Sequence, residues 1–383
     1  MERETSKIHV VLLPFPAFGH MMPFHQLAIA LAEAGVYVSY ISTPRNTQRL
    51  PKPPQYLSPK ISFVSLPLPV PDSSPLPEGA EATIDLISDD QVQYLFKAFD
   101  LLHKPLEKFV VEHSPDWLII DLFTPWATDV GKDCGVPVLV FSPFSAATCT
   151  LIGLYGDDAS GISPAKRFAK TINASQAMAI RSSRELGGDY LSLYAKLIGK
   201  PAIPAGLLPP EKPKERQITD ESWILTFKWL DQQEPRSVVF VGFGSECRLS
   251  REQKVCFGWA PQREILAHPS IGCSLFHAGW GSAIEALQFG HCLVVLPFLV
   301  DQGLNARFLV EKGLAIEVER GDDGLFRRSD IARALSGAMV GKVGEGMRAR
   351  SRDVAAVVGD REMHEGYIVG LVEFLKSRIE KQK

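Results

Sequence analysis

Short, uninterrupted apolar runs alternate with amphipathic stretches along the chain. Ile8 to Leu13 is apolar and rich in β-branched residues, ends at Pro14, and reads as a strand buried on both faces. Beyond it Phe24, Leu27, Ala28 and Leu31 recur at helical spacing, with Pro23 opening the helix and Gly35 closing it. Val36 to Ile41 reads as the next strand, which completes a βαβ unit of the kind that builds parallel sheets. Further strands are predicted at Ile61 to Leu66, Trp117 to Ile120 and Pro137 to Phe141, with helical patterning between them, as around Val92 to Val111.

Ala205 to Pro213 is rich in proline and glycine and runs into the charged stretch Glu211 to Arg216, a linker signal. A second α/β series follows. Strands are predicted at Ser237 to Val241, Cys273 to Phe276, Cys292 to Leu296 and Ala315 to Val318. Helices are predicted at Ser282 to Gln288, Leu304 to Glu311, Ser329 to Met339 and, last, Glu362 to Lys376. The fold class is therefore α/β, as two doubly wound, Rossmann-like domains at 1–213 and 214–360, with a closing helix at 361–383 expected to pack back on the first. Two such halves place a cleft at the carboxyl ends of their strands, the default ligand site of this architecture.

Composition narrows the function without naming it. The 383 residues suit two domains, and a hydrophobic fraction of 45% excludes wholesale disorder. Lys+Arg 41 against Asp+Glu 44 leaves a net charge of −3, which supplies no footprint for nucleic acid or anionic lipid. The six cysteines show no C-x-x-C pair, the opening residues form no signal peptide, and no window is long and apolar enough to span a bilayer, so a cytoplasmic, monomeric protein is expected.

The chemistry concentrates between Trp259 and Gln302. His277-Ala278-Gly279-Trp280-Gly281-Ser282 is a glycine-rich turn between a strand and a helix, and its backbone N–H groups at a positive helix end suit a diphosphate. Ser282 is placed to cap that helix or to donate to a phosphate. Trp259 offers a flat face to a base, Glu285 an acceptor for ribose hydroxyls, and Asp301 and Gln302 sugar-binding groups at a strand's carboxyl edge. Rival nucleotide motifs fail. Gly242-Phe243-Gly244 lacks the third glycine of a dinucleotide fingerprint, and Gly337 to Lys342 is one residue short of a phosphate-binding loop.

This block, with its full spacing, resembles the signature box of plant family 1 UDP-glycosyltransferases. The similarity extends over essentially the whole chain, including PFPAFGHMMPF, STPRNTQRLP, GLLPP, KWLDQQEPRSVVFVGFGSE and MRARSRD, and is strongest to members that add a sugar to an existing glycoside. The resemblance implies the GT-B fold and an inverting hexosyltransferase without metal or cofactor. Its donor would be a UDP-sugar, UDP-glucose ahead of UDP-rhamnose because a final glutamine, here Gln302, commonly accompanies glucose. Its acceptor would be a plant small-molecule glycoside, such as a terpenoid or flavonoid glycoside. It also implies roles for matched residues: Trp259 and Ala260 at the base, Gln262 and Glu285 near base and ribose, Ser245, His277, Gly279, Gly281 and Ser282 along the diphosphate, and Trp280, Asp301 and Gln302 around the donor sugar.

The same resemblance makes His20 the catalytic base and Asp121 its partner. A helix N-terminus keeps a histidine neutral and basic, and a carboxylate fixes its tautomer. Taken alone, His20 also reads as a capping or surface histidine, and Asp121 as a helix cap. Asp116 is the rival carboxylate, at the wrong end of its strand. His25 reads equally as an acceptor-side or a bland residue. The pairs Phe123/Trp126 and Phe141/Phe144 either line an acceptor pocket or pack the domain.

Two features depart from the family pattern. Gly281 stands where many members carry asparagine. Only 13 residues separate Ser245 from Trp259, where members fit a helix, a strand and a loop, and parallel neighbours need a crossover of about a dozen residues or more. Three explanations are open: a chain joined across missing segments, an engineered deletion or a natural short form. The first two predict a non-native join near Gln253/Lys254, and a real deletion leaves the C-terminal sheet short of a strand. A smaller deficit is expected near Tyr155 to Ile162. If the shortening removes turnover, the remaining function would be a non-catalytic nucleotide-sugar binder.

Overall fold

The structure, a computed structural model, describes residues 8–70, 74–151, 163–213, 218, 220–245, 260–299 and 301–382. It divides into two units, 1–208 with 362–383, and 209–361. The expected join at Gln253/Lys254, the deficit at 155–162 and the side chain of Trp259 lie outside the described residues.

In the first unit the order is β1 (His9–Leu13), α1 (Phe18–Glu33), β2 (Tyr37–Ser42), α2 (Pro44–Arg49), β3 (Ile61–Ser65), α3 (Val92–Asp100), α4 (His103–His113) and β4 (Trp117–Ile120). There follow α5 (Pro125–Asp133), β5 (Val138–Ser142), α6 (Ala146–Leu151), α7 (Pro164–Ala174), β6 (Ala177–Ile180), α8 (Arg184–Ile198) and β7 (Ala202–Pro204). All seven strands run parallel in the order β3-β2-β1-β4-β5-β6-β7. The central strands β4, β5 and β6 are buried along their whole length, as their apolar sequences require when helices cover both faces. The order reverses between β1 and β4, and at this switch point the chain leaves the two neighbouring strands in opposite directions.

Helix α1 corrects the sequence reading. It starts at Phe18, five residues before Pro23, because Ala17 is extended and its carbonyl accepts from both His20 (2.9 Å) and Met21 (2.8 Å). Pro23 lies inside the helix, where it removes one donor, the one that would reach Gly19. The predicted face, Phe24, Leu27, Ala28 and Leu31, is fully buried. Gly35 ends the segment at φ +90°.

The second unit holds α9 (Glu221–Leu230), β8 (Val238–Gly242), α10 (Gln262–Leu266), β9 (Ile271–Phe276), α11 (Trp280–Gln288), β10 (Cys292–Val295), α12 (Gln302–Glu311), β11 (Ala315–Glu317), α13 (Arg328–Met339) and α14 (Lys342–Gly359). Its sheet is parallel, in the order β11-β10-β9-β8. Strand β9 is buried throughout, whereas β8, which pairs only with β9 among the described residues, leaves Val241 52% exposed. Helix α15 (Arg361–Gln382) returns to the first unit. Its Ile368, Leu371, Val372 and Leu375 join the core around β1 and α1, and the Leu375 carbonyl accepts from the Trp117 indole (3.2 Å).

His291, just before β10, ties that strand to β9 through Ser274 Oγ (2.9 Å from Nδ1). Burial pushes its pKa down to about 4; a hydrogen bond to the Leu266 backbone opposes the shift, and the Arg236 charge adds to it. The folded value lies below the unfolded one, so the unfolded chain binds the proton first as pH falls. The stabilisation is complete above about pH 6.5 and is lost on the way down to about pH 4. Between pH 7 and 5 the wild-type protein should lose roughly 2 kcal/mol more stability than His291→Asn, measured by denaturant unfolding. Equal losses in the two proteins would refute the assignment.

Candidate active site

The first unit brings His20 and Asp121 together at the switch point. Parallel pairing puts Leu13, the end of β1, opposite Ile120, the end of β4. The Asp121 N–H then donates to the Leu13 carbonyl (3.0 Å). From there Asp121 Oδ2 lies 2.8 Å from His20 Nδ1, in the first turn of α1. Asp121 is fully buried and His20 is 8% exposed. A carboxylate only accepts, so Nδ1 carries a proton, and in the neutral form of the ring the lone pair is at Nε2. The Phe123 N–H donates to the other carboxylate oxygen at 3.3 Å. The Tyr40 hydroxyl anchors the same turn by donating to the Met21 carbonyl (2.7 Å). Burial, reinforced by the Asp121 charge, pushes its pKa well above the usual value.

Aromatic rings surround the imidazole. Phe144, Phe123 and Phe15 lie with centroids 5.4, 5.6 and 5.8 Å from it. Phe15 stacks on Phe96 (4.5 Å) and meets Phe99 edge-on (5.8 Å). The two candidate aromatic pairs therefore split. Phe123 and Phe144 border His20, whereas Phe141 packs against Phe24 in the core and Trp126 against Phe99. His25 turns away against Phe63, buried, with its pKa lowered mainly by that burial. Asp116 accepts from the His9 N–H at the amino end of the sheet, the far end from His20.

The second unit builds a backbone cradle from the loops after β8 and β9. The His277 ring is wedged between two glycines. A Cβ on Gly279 would come within 2.4 Å of its Nε2, and one on Gly244 (φ +73°) within 2.5 Å of its Cε1. Burial lowers the His277 pKa, against a hydrogen bond to the Gly242 backbone, and Nδ1 has no partner among the described residues. Ala278 takes φ +66°, and its carbonyl accepts from Asn305 Nδ2 (3.1 Å). That amide also donates to Asp301 (2.8 Å), which ties the 301 turn to the 278 turn. Asn305 escaped the sequence reading; its only signal there is its place four residues after Asp301, the N-cap of α12, one turn into that helix.

Helix α11 begins at Trp280, with Gly279 as its N-cap and no acidic residue in its first turn. Ser282 therefore lies inside the first turn and is not the cap. Ser245, Gly281, Ser282 and Glu285 are partly exposed, and Gln262 Nε2 donates to Glu285 Oε2 (2.7 Å). Trp280 is buried edge-on against Phe308 (5.8 Å), so its ring belongs to the core of the unit. Gln302 Oε1 accepts from the N–H groups of Phe298 (2.9 Å) and Leu299 (3.0 Å). Ala260 opens the segment leading to α10 and is half-buried.

A Ser–His–Asp array in the second unit, Ser270, His268 and Asp231, is structural. Ser270 is 1% exposed, and both its N–H and its hydroxyl face His268 Nδ1, so no nucleophile is presented.

The family described as UDP-glucoronosyl and UDP-glucosyl transferase matches residues 232–343. UDP-glycosyltransferase 91C1 of Arabidopsis thaliana is 32% identical over 457 residues, covering 99% of this chain and 98% of its own length. The soyasaponin III rhamnosyltransferase of Glycine max is 32% identical over 453 residues, covering 96% and 95%. Both alignments are longer than the chain's 383 residues, so each relative carries segments without a counterpart here. Among solved structures, Arabidopsis thaliana UGT89C1 complexed with UDP-L-rhamnose superposes with a TM-score of 0.80 at 24% identity, covering 97% of this chain and 100% of that one. Glycyrrhiza uralensis UGT73P12 superposes equally well, at 0.80 and 21% identity, covering 98% and 97%. These likenesses establish the GT-B fold. Near-full-length identity above 30%, over a chain that carries the signature box, makes this protein a UDP-sugar-dependent glycosyltransferase of plant family 1.

Proposed function

We infer that the protein transfers glucose from UDP-glucose, with inversion and without metal or cofactor, to a hydroxyl of a plant small-molecule glycoside. The observation that carries the reading is the buried His20–Asp121 pair at the switch point. His20 Nε2 takes the proton of the acceptor hydroxyl as its oxygen attacks the anomeric carbon from the face opposite UDP. The C–O bond to UDP breaks, and UDP leaves with the electron pair. Asp121 holds the proton on Nδ1 and stabilises the imidazolium that forms.

UDP would lie along the cradle of the second unit. The N–H groups opening α11, the helix dipole and the hydroxyls of Ser245 and Ser282 oppose diphosphate charge, and no carboxylate in that first turn repels it. Glu285, held by Gln262, is the group for the ribose, and Trp259 is the flat face for uracil. The buried Trp280 would contribute through its backbone. Asp301 and Gln302 would meet the sugar, Gln302 through Nε2 because its Oε1 already accepts two backbone N–H groups. UDP-rhamnose is the second donor, favoured by the similarity to a protein named as a rhamnosyltransferase.

Asp121→Asn keeps the shape but removes the tautomer control. Transfer should fall by about 10²- to 10⁴-fold, while UDP affinity stays at the wild-type level. His20→Ala should abolish transfer with UDP binding retained. Product detection by mass spectrometry, with UDP-glucose and UDP-rhamnose offered separately over a panel of terpenoid and flavonoid glycosides, checks both. Wild-type UDP binding with no turnover of any acceptor would make the protein a nucleotide-sugar binder.

Gly279→Ala should displace His277 and weaken UDP binding by about tenfold or more, with little change in the far-ultraviolet spectrum of the fold. Isothermal titration with UDP measures it. Wild-type affinity in this variant would contradict the cradle.

A further inference from the structure

Arg167, in the first turn of α7, is a buried guanidinium outside all the roles assigned above. It is 5% exposed and grips one helix in two ways. Its Nη1 and Nη2 donate to the two carboxylate oxygens of Asp100 at 2.8 and 2.7 Å, and its plane lies over the Phe96 ring at 4.8 Å. Asp100 and Phe96 are i and i−4 on α3, so a single side chain holds one face of that helix. From Phe96 the contacts continue to Phe15 (4.5 Å, stacked) and on to His20 (5.8 Å, edge-on). Phe96 also meets Phe123 at 5.9 Å, which borders His20 as well.

We propose that Arg167 is a positioning residue for the acceptor. By fixing α3 through Asp100 and Phe96, it holds the buried Phe15 as the backing of the partly exposed Phe123, the ring against which a planar, ring-bearing aglycone rests while its hydroxyl meets His20. The proposal rests on the glycosyltransferase reading and adds the residue that aligns the acceptor. A planar guanidinium fork suits the task. It binds a carboxylate through two parallel hydrogen bonds and a ring through its face, which an ammonium cannot do together. Phe15 lies in the loop between β1 and α1, so a shift of the Phe96 stack is felt next to the base. A small misplacement near a reacting group is enough to cost a large part of the rate or affinity.

The test compares wild type, Arg167→Met, Arg167→Lys and Phe96→Leu by quercetin titration, UDP titration, thermal midpoint and acceptor KM against kcat. Phe96→Leu keeps the Arg167–Asp100 pair and so serves where Arg167→Met fails to fold. Arg167→Met and Phe96→Leu should weaken quercetin binding and raise acceptor KM by about tenfold, with UDP affinity unchanged and kcat affected less than KM. Arg167→Lys should recover only part of the loss. Wild-type quercetin affinity in both variants overturns the proposal. So does a loss of quercetin and UDP affinity in parallel with a falling thermal midpoint in Phe96→Leu, the pattern of a merely structural residue. A wild-type protein that binds no quercetin overturns it too. A wild type that binds quercetin, with the expected variant losses, but neither binds UDP nor transfers sugar supports the positioning role and contradicts the glycosyltransferase reading.

Discussion

The adjacency of β1 and β4 is the constraint on which the chemistry of the first unit depends. His20 and Asp121, 101 residues apart, meet because the sheet reverses its order there and the register puts Leu13 beside Ile120. Asp121, the next residue after Ile120, has nowhere to go but the carboxyl edge, fully buried. A buried carboxylate without partners would cost several kcal/mol, so the fold tolerates it only with His20 and the Phe123 N–H in place. The pair is therefore a condition of stability for this corner of the sheet as well as a chemical device. The surrounding phenylalanines raise the stakes, since low polarity strengthens a satisfied pair and penalises a broken one.

Much of this was legible in the sequence because strand ends are legible. Apolar runs bounded by Pro14 and by Asp121 located the carboxyl edges, and a carboxyl edge is where a doubly wound fold keeps its ligands. The glycine-rich turn after β9 was legible for a related reason: a turn that packs backbone closely around a ring shows in sequence as missing side chains. The positions that stayed hidden work through tertiary contact. Nothing local marks Arg167 as the partner of Asp100, 67 residues away, or Phe96 as the neighbour of Phe15. Patterning could not divide Phe123 and Phe144, which border His20, from Phe141 and Trp126, which pack, because all four are apolar and largely buried. Pro23 misled for a different reason. Proline is a good signal for a helix start, but here the extended Ala17 and the doubly used Ala17 carbonyl started the helix earlier.

The second unit makes a different compromise. Its sheet carries β8 at the edge among the described residues, and the strand that would be central and dry in a full doubly wound sheet leaves Val241 half in water. Yet the cradle leans on β9 more than on β8. His277 follows β9, α11 follows His277, and β9 is buried along its whole length with β10 behind it. From β8 the cradle needs chiefly Gly244 and Ser245, at the end where register with β9 is intact through Gly242 opposite Phe276.

The two units thus solve opposite electrostatic problems. The first unit buries one carboxylate against an imidazole and wraps that imidazole in aromatic rings, so that Asp121 is the negative charge facing His20. The second unit keeps carboxylates out of the first turn of α11, a setting suited to negative charge, and burial lowers the pKa of its histidine. His277 is better understood as a spacer than as a cation. Its ring fills the gap between Gly244 and Gly279 and so holds both loops apart at a fixed distance, while the helix N-terminus supplies the attraction. The two histidines therefore sit in different settings: His277 is packed between two glycines, whereas His20 faces a buried carboxylate.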